Sequence, residues 1–309
     1  MAKTLGALTH GDMSVLVASG VALDAAVSAG TRAAPDGVGP WRVGARAASP
    51  PWRALSRSEC AWLCRQGVGA PGSTLALLKV PEALFDSWQV VAGDQGGSFE
   101  ESAVRVMKHP RYEPVLQQTI DFLRRLTRYS ARPLRAFVAE THPGRASVCW
   151  DAKEFQGLHV DVRDKTPVSE CAYSPTRFCL NIGRHSRGFC FLGMSVAAMV
   201  QELRSGGVEL DRGATPQEVA DRFMATFDSS PVVRVTLRPG EAYLAPTDNV
   251  VHDGYTEAVP PGDCDLVVMA IGYFDVERAY AIGSPGHDIE ATPPSPSTTE
   301  ASCNPSVVS

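Results

Sequence analysis

Two residues near the middle of the chain could bind one divalent metal together. His159 and Asp161 stand one residue apart in the run GLHVD. Successive side chains on a β-strand point to opposite faces, so this imidazole and this carboxylate would lie on the same side of a strand. Side by side, the two groups could both ligate one ion. A lone His-x-Asp pair arises often by chance, so a metal site needs at least one further ligand.

His252 is the candidate third ligand. It follows the run RPGEAYLAP at 238–246, which predicts a turn, a strand and a second turn before a new strand. His252 lies 93 residues after His159 (252 − 159 = 93), which leaves room for four strands and a helical insertion. In a barrel, the strand with the third ligand would run beside the segment with the first two. Two histidines and one carboxylate on one side of a metal form the facial triad of non-haem iron(II) oxygenases.

Together, these motifs resemble those of the iron(II)/2-oxoglutarate-dependent dioxygenase family. The resemblance rests on HVD at 159–161, RPGEAYLAP at 238–246 and VVHDG at 250–254, and it covers residues 135–274. The order of the motifs and the long insertion between them are also similar to those of free-standing bacterial hydroxylases of amino acids or natural products. The resemblance implies a double-stranded β-helix, also called a jelly roll, as the catalytic core.

The resemblance also implies a chemistry. Iron(II) would be held by His159, Asp161 and His252, with 2-oxoglutarate as co-substrate, O2 as oxidant and no catalytic residue beyond the metal ligands. Oxidative decarboxylation of 2-oxoglutarate to succinate would accompany hydroxylation of a small molecule, such as an amino acid or a natural-product intermediate. Because the related halogenases lack the carboxylate ligand, the presence of Asp161 favours hydroxylation, desaturation or ring formation over halogenation.

The far carboxylate of 2-oxoglutarate binds a buried cation in this family, commonly an arginine shortly after the second histidine. This sequence departs from that pattern, because residues 253–277 contain no Arg or Lys. Arg187 is the first candidate, since it opens a strand after a predicted hairpin turn. Arg145 is the second, since it opens the run RASVCW, which would form the strand next to the last one in a closed jelly roll. Arg177 is the third, and Arg278 is expected to play no part. An arginine suits the role because its planar fork can make two charge-assisted hydrogen bonds to a carboxylate.

Two other functions stay open on the sequence. The run from Gly240 to Pro246 followed by His252 is also similar to the second motif of cupins, which can bind a metal without a keto acid. Cupins normally supply more histidines from their first motif than the single His159 of this chain. The other alternative is a metal-free binding protein on a decayed barrel, which would not need to retain all three candidate ligands.

The candidate ligands fall in the half of the chain that has strand character. From residue 135 onward, short runs of β-branched and aromatic residues alternate with Gly, Pro and Asp turns, and there are about as many runs as the eight strands of a jelly roll. We therefore predict a mainly β fold with flanking helices. The predicted divisions are an irregular segment (1–54), a helical part that packs on the barrel (55–134), the β-helix core (135–280) and a disordered tail (281–309).

A helical insertion interrupts the predicted core at residues 195–227. It contains the run TPQE from Thr215 to Glu218, which predicts a capping box with Pro at the first helical position. An insertion of this length between barrel strands could cover the mouth of the barrel as a lid. It could equally brace the barrel from outside.

The composition narrows the class of partner. The 309 residues carry a formal net charge of −5, so no basic field attracts nucleic acid or an anionic membrane. The apolar stretch at 13–27 contains polar residues and is too short to span a bilayer. Eight scattered cysteines suit a reduced cytoplasmic protein, and Cys60 and Cys64 are expected to pack rather than to bind a metal. We expect a cytoplasmic protein with a small-molecule substrate, and the oligomeric state stays open.

Overall fold

The computed structural model describes residues 8–35, 40–65, 71–93, 99–128, 134–141, 147, 154–161, 166–256 and 265–282. The strands are β1 (Ser14–Val17), β2 (Ala25–Val27), β3 (Gly30–Ala33), β4 (Arg46–Ser49), β5 (Arg53–Ala54), β6 (Thr74–Lys79), β7 (Arg135–Thr141), β8 (Thr176–Asn181), β9 (Arg187–Ser195), β10 (Val232–Leu237), β11 (Glu241–Ala245), β12 (Val250–Tyr255) and β13 (Asp265–Gly272). The α-helices are α1 (Arg57–Leu63), α2 (Glu82–Ala92), α3 (Phe99–Lys108), α4 (Tyr112–Arg124), α5 (Val196–Ser205), α6 (Pro216–Thr226) and α7 (Val276–Ile282).

Most strands belong to one of two sheets. Hydrogen-bonded neighbours follow the order β1-β6-β11-β8-β13-β7 in a six-stranded sheet and β12-β9-β10-β2-β5 in a five-stranded sheet. The pairs within both sheets are antiparallel, apart from the parallel pair of β1 and β6. β3 and β4 form a separate two-stranded unit. Strands that follow one another along the chain, such as β11, β12 and β13, lie alternately in the two sheets.

The two sheets share an apolar core. Phe189 and Phe191 of β9 belong to the same buried cluster as Tyr243 of β11, in the other sheet. The intervening residues Cys190 and Leu192 point the opposite way, into a second cluster with α5 and α6. β9 is therefore buried on both faces. Each large apolar side chain buried in this way contributes about 1.5–3 kcal/mol, so this strand is a main source of stability.

Helices cover the outer faces of both sheets. α2 and α4 pack on the six-stranded sheet, where Trp88 and Phe122 share a cluster with Phe178. α5 and α6 pack on the five-stranded sheet, where Met199 and Phe223 join its outward side chains. Among the described residues, no helix is long and apolar enough to cross a membrane. The predicted fold class, rich in sheet with flanking helices, is confirmed at this level.

The helical insertion lies on the outside of the molecule. α6 begins with the predicted capping box, in which Thr215 Oγ1 accepts from Glu218 N at 3.2 Å and the Glu218 carboxylate accepts from Thr215 N at 2.7 Å. Pro216 occupies the first helical position. Because α5 and α6 cover the outer face of the five-stranded sheet, the structure favours the brace over the lid.

Several strands occur where the sequence predicted none. The N-terminal segment, predicted to be irregular, contributes β1, β2 and β5 to the sheets, and the part predicted to be helical contains β6. β6 has the sequence TLALLK, and a short apolar run of this kind is compatible with either a strand or a helix. Its partners β1 and β11 are distant in sequence, so tertiary pairing selects the strand. The residues of the predicted tail from 283 onward lie outside the described residues.

The structure also corrects the predicted surroundings of two arginine candidates. The sequence predicted that β8 and β9 form a hairpin, but β8 belongs to the six-stranded sheet and β9 to the five-stranded sheet. The run at 145–150 was predicted to lie beside the last strand, yet the described neighbours of β13 are β7 and β8. Within that run, only Ser147 lies among the described residues.

Candidate metal centre

His159, Asp161 and His252 form one cluster. One ligand atom of each lies within 4.8 Å of the other two, which allows a single ion to contact all three. His159 Nε2 is 3.7 Å from Asp161 Oδ1, and His252 Nε2 is 3.9 Å from Asp161 Oδ2. Both histidines are buried. Within the part of the chain that the structure describes, the free thiols Cys60 and Cys64 belong to no such group.

The ligand segment, residues 157–161, is held against β12. His159 N donates to His252 O at 2.9 Å, and His252 N donates to His159 O at 2.8 Å. This reciprocal pair places the two imidazoles side by side, with ring centroids 4.5 Å apart. Asp161 N donates to Thr247 O at 2.9 Å, which anchors the carboxylate-bearing residue to the turn before β12. His252, the candidate third ligand, therefore lies on a strand beside His159 and Asp161, which is the position that the sequence predicts.

Gly157 determines how the chain enters the ligand segment. Its φ is +63°, and a Cβ at this position would lie 2.4 Å from the carbonyl oxygen of Arg46 in β4. The next residue, Leu158, donates from its backbone N–H to the same carbonyl at 2.8 Å. The carbonyl of Gly157 lies 2.7 Å from Nδ1 of His159. Glycine is needed here because a side chain would clash with β4 and a left-handed φ disfavours other residues.

We expect Gly157→Ala to weaken metal binding by roughly 10- to 100-fold, although it changes no ligand, because the carbonyl that orients His159 would have to move. Titration of the metal-free protein with Co(II), followed by its visible absorption, measures this affinity. Gly93→Ala is the matched control, because Gly93 has a φ of +57° and no atom within 4 Å of a built Cβ. Equal Co(II) affinities for the two variants would contradict a positioning role for Gly157.

Both imidazoles present a nitrogen lone pair to the centre. His159 Nδ1 is 2.7 Å from Gly157 O, and His252 Nδ1 is 3.1 Å from Val250 O. Because a carbonyl oxygen only accepts, each Nδ1 carries a proton, and Nε2 is the nitrogen of each ring that can offer a lone pair to a metal. His252 Nε2 is buried and has no hydrogen-bond partner among the described residues. A buried nitrogen lone pair left in this way, beside a carboxylate, fits a bound metal ion.

The surroundings favour the protonation states that metal ligands need. Burial, together with the neighbouring His159, lowers the pKa of His252 to about 3, so this imidazole is uncharged at neutral pH. Burial alone would raise the pKa of Asp161, but Arg177 and the two imidazoles hold that pKa well below its usual range. An uncharged imidazole and an ionised carboxylate can bind a divalent cation without first releasing a proton.

Arg177 is an ion-pair partner of the proposed carboxylate ligand. Its Nη2 lies 2.5 Å from Asp161 Oδ2. Arg177 pairs with Ala245 across β8 and β11, on the face of β8 that carries Cys179 into the shared core. The contact engages one carboxylate oxygen, while Oδ1 faces His159. The third arginine candidate is therefore placed at the metal centre rather than at the distance expected for the far end of 2-oxoglutarate.

Arg187 opens β9, as the sequence predicted, and its side chain is buried. Phe191 of β9 pairs with His252 of β12, so these two side chains share a face of the sheet. Arg187 lies four residues before Phe191 and on the same face, at a distance of about 13 Å along the strand. A Cβ at Gly254 would be 3.7 Å from Arg187 Nη2. Because glycine has no Cβ, space is left beside the guanidinium, on the side of the strand that leads back to His252.

Tyr243 is close to two arginines, the buried Arg187 and the half-buried Arg177. Burial raises the pKa of its hydroxyl, whereas Arg177 and Arg187 both act to lower it, so both positive charges are close to this group. The Tyr243 ring stacks on Phe189 with centroids 4.1 Å apart, and Phe189 stacks on the His252 imidazole at 5.6 Å. The space between the sheets beside the metal ligands thus combines aromatic rings with two cations.

The two other arginines named from the sequence are Arg145 and Arg278. Arg145 lies outside the described residues, so its position stays a prediction. Arg278 lies on α7, is exposed and has Nη1 3.4 Å from the carbonyl oxygen of Arg125. α7 packs against β1 and β6, at the far edge of the six-stranded sheet from β7. This position agrees with the expectation that Arg278 takes no part in the site.

A separate cleft lies next to the ligand segment. It has a volume of about 510 Å³ and is lined by β4, the connection before α6, and α6 itself, with Arg46, Glu218 and Asp221 among its walls. None of the three metal ligands lines it. The cleft is therefore distinct from the candidate metal centre.

The roles of three residues at the candidate metal centre are not predicted by the sequence. Gly157 has a local signal, because a glycine directly before a candidate ligand pair often marks a close backbone approach. The role of Arg177 toward Asp161 has no such signal. The same holds for Gln217 of α6, which accepts a hydrogen bond from Val160 N at 2.8 Å. Both contacts join parts of the chain that only the tertiary fold brings together.

Comparison with known proteins shows distant structural similarity only. The sequence matches no protein-family model and no curated protein sequence. Among solved structures, the chain is similar to HygX from Streptomyces hygroscopicus with iron bound, at 14% identity and a TM-score of 0.29, over 66% of this chain and 82% of HygX. HygX with nickel and 2-oxoglutarate bound and apo HygX each match at 13% identity and a TM-score of 0.30, over 66% of this chain and 83% of theirs. At this level of similarity, the function has to be argued from the metal centre of this chain.

Proposed function

We propose that this protein is a non-haem iron(II) and 2-oxoglutarate-dependent oxygenase that hydroxylates a small molecule. The observation that carries the proposal is the cluster of His159, Asp161 and His252, whose ligand atoms lie within 4.8 Å of one another. Two imidazole nitrogens and one carboxylate suit iron(II) and leave coordination positions for a co-substrate and O2. The buried lone pair of His252 Nε2, which has no partner among the described residues, supports a bound metal.

The strand order supports a double-stranded β-helix as the catalytic core. β11, β8, β13 and β7 are successive neighbours in one sheet, and β12, β9 and β10 are successive neighbours in the other. The ligand segment lies beside β12 through the bridge between His159 and His252. It therefore takes the place of a fourth strand next to β12, β9 and β10. A jelly roll has eight strands in two four-stranded sheets, and its chain crosses repeatedly from one sheet to the other, as it does in this protein.

The residues of the chain would prepare the centre for the metal. His159 and His252 would each offer Nε2, with the ring held by the hydrogen bond from Nδ1 to a carbonyl. Asp161 would offer one carboxylate oxygen while Arg177 holds the other. Iron(II) with 2-oxoglutarate would supply the capacity to activate O2 for oxidation of a substrate C–H bond. Because Asp161 is present as a ligand, hydroxylation is favoured over halogenation.

The far carboxylate of 2-oxoglutarate is assigned to Arg187. Three features support this assignment: the guanidinium is buried, it is on the same face of the sheet as His252, and Gly254 leaves space beside it. The Tyr243 hydroxyl, close to the same charge, could donate a second hydrogen bond to that carboxylate. Arg145 stays the second candidate.

The substrate is proposed to be an amino acid or a natural-product intermediate, and the enzyme is proposed to act in the cytoplasm. The net charge of −5 supports a small molecule over nucleic acid or an anionic membrane. Substrate selection within that class would depend on side chains near the open side of the metal.

Anaerobic titration tests the function directly. Addition of iron(II) and then 2-oxoglutarate to the metal-free protein is expected to produce a weak visible charge-transfer band, because the keto acid chelates the metal. Iron binding without this band would favour the cupin-type alternative, in which no keto acid binds. Absence of iron binding would favour a binding protein on the same barrel. The His252→Ala variant is the control, since it should show neither iron binding nor the band.

A further inference from the structure

The backbone N–H of Val160 has an acceptor outside the neighbouring strand. Val160 lies between two of the metal ligands, and its N–H donates to Gln217 Oε1 at 2.8 Å. The N–H groups on either side bond to His252 O and Thr247 O, both in or just before β12. One of three consecutive backbone donors in the ligand segment is therefore satisfied by the helical insertion.

Gln217 is itself fixed by an ion pair. Its Nε2 donates to Asp221 Oδ1 at 3.0 Å, one turn further along α6. Asp221 in turn accepts two hydrogen bonds from the guanidinium of Arg42, at 2.7 and 2.9 Å. A bidentate pair of this kind restricts both partners more than a single contact does. The amide of Gln217 is thus oriented with its oxygen toward Val160.

Arg42 also reaches the start of the same stretch of chain. Its backbone N–H donates to Phe155 O at 2.9 Å, and Trp41 forms a β-bridge with Phe155. The stretch from Phe155 to Asp161 is therefore held at its beginning by residues 41 and 42 and near its end by Gln217. The ion pair between Arg42 and Asp221 connects these two supports.

We infer that Gln217 is a positioning residue for the metal centre, held in place by Asp221 and Arg42. The ligand segment makes only a bridge with β12, without the repeated ladder that fixes an ordinary strand. A partner at Val160 therefore has a direct effect on where His159 and Asp161 stand. Through this hydrogen bond, α6 of the helical insertion directly supports the segment that carries His159 and Asp161. This inference rests on the proposed metal site.

Gln217→Met tests the inference in the full-length chain. Methionine keeps the length of the side chain and a high helix propensity but removes both hydrogen-bonding groups. We expect Co(II) affinity to fall by roughly 10- to 100-fold, the range observed when residues that hold metal ligands are removed. We also expect the visible Co(II) spectrum to change, because the ligand positions change. The thermal unfolding midpoint of the metal-free protein measures any general loss of stability.

Gln89→Met is the matched control. Gln89 is also a half-buried helical glutamine that makes a hydrogen bond to the backbone, from Nε2 to Ile182 O at 3.1 Å, but it lies on α2, on the other sheet. Its loss is expected to shift the unfolding midpoint by an amount similar to Gln217→Met. It is expected to leave the Co(II) affinity and spectrum unchanged.

A double variant separates the hydrogen bond from side-chain packing. Gln217→Glu with Asp221→Asn exchanges the amide and the carboxylate, so position 217 still offers an acceptor to Val160 and still bonds to position 221. The exchange also reduces the bidentate pair of Arg42 and Asp221 to contact with a single oxygen, so we expect it to raise Co(II) affinity at least about threefold above that of Gln217→Met without restoring it fully. Equal Co(II) affinity in the two Gln→Met variants overturns the inference. If the unsubstituted chain itself fails to bind Co(II), the proposed function fails instead.

Discussion

His252→Ala is expected to lower iron(II) affinity by more than about 100-fold and to stop succinate formation from 2-oxoglutarate. Structural zinc sites with four protein ligands gain about 10–16 kcal/mol on binding, so one ligand corresponds to roughly 3 kcal/mol. That free energy is about 100-fold in affinity. The same result is expected for His159→Ala and Asp161→Ala, because each supplies one of three ligand atoms. Iron titration and a succinate assay measure the two effects.

The fold is expected to survive the His252→Ala change. His252 Nε2 has no partner among the described residues, so the change costs the fold one reported side-chain hydrogen bond, from Nδ1 to Val250 O, which is about 1 kcal/mol. Circular dichroism checks the fold, and His109→Ala serves as the control, because His109 lies outside the metal cluster. Succinate formation near the unsubstituted level in any of the three ligand variants would show that the residue is not a ligand.

Arg187→Ala is expected to raise the Michaelis constant for 2-oxoglutarate by roughly two orders of magnitude or more. A buried carboxylate that loses its cation is destabilised by several kcal/mol, and 2.7 kcal/mol already corresponds to about 100-fold. Iron(II) affinity should change little, because Arg187 is about 13 Å along the strand from the position opposite His252. The dependence of the succinate rate on 2-oxoglutarate concentration measures the effect.

Arg278→Ala is the control for this prediction, since Arg278 is an exposed residue on α7. If Arg187→Ala leaves the Michaelis constant unchanged and Arg145→Ala raises it, the second candidate holds the co-substrate. If none of the three variants has an effect, the role of 2-oxoglutarate itself is contradicted. A selective effect of Arg278→Ala would contradict the position of the last strand.

Much of the β core could be predicted from the sequence. The runs that became β8 to β13 were recognised because alternating, β-branched and aromatic residues between turn residues are a local signal. The sequence does not predict β1 to β6, which lie in the segments expected to be irregular or helical. β6 lies between β1 and β11, and its apolar run becomes a strand only because both partners are present.

The candidate metal centre, too, could be predicted only in part from the sequence. His159 and Asp161 could be paired from the two-residue period of an extended chain, and His252 could be added from the motif that precedes it. The structure brings all three together. Arg177 was considered for another role, because nothing in its own neighbours indicates that its guanidinium meets Asp161.

The sequence by itself determined which side chains could ligate a metal, because ligand chemistry and strand alternation are properties of short segments. The tertiary structure decided what surrounds them. Arg177 of β8 contacts Asp161, and Gln217 of α6 accepts a hydrogen bond from Val160. Both contacts depend on strand pairing or helix packing between distant parts of the chain. It also decided that the insertion lies on the outer face of the five-stranded sheet, because the apolar faces of α5 and α6 pack there against the outward side chains of the sheet.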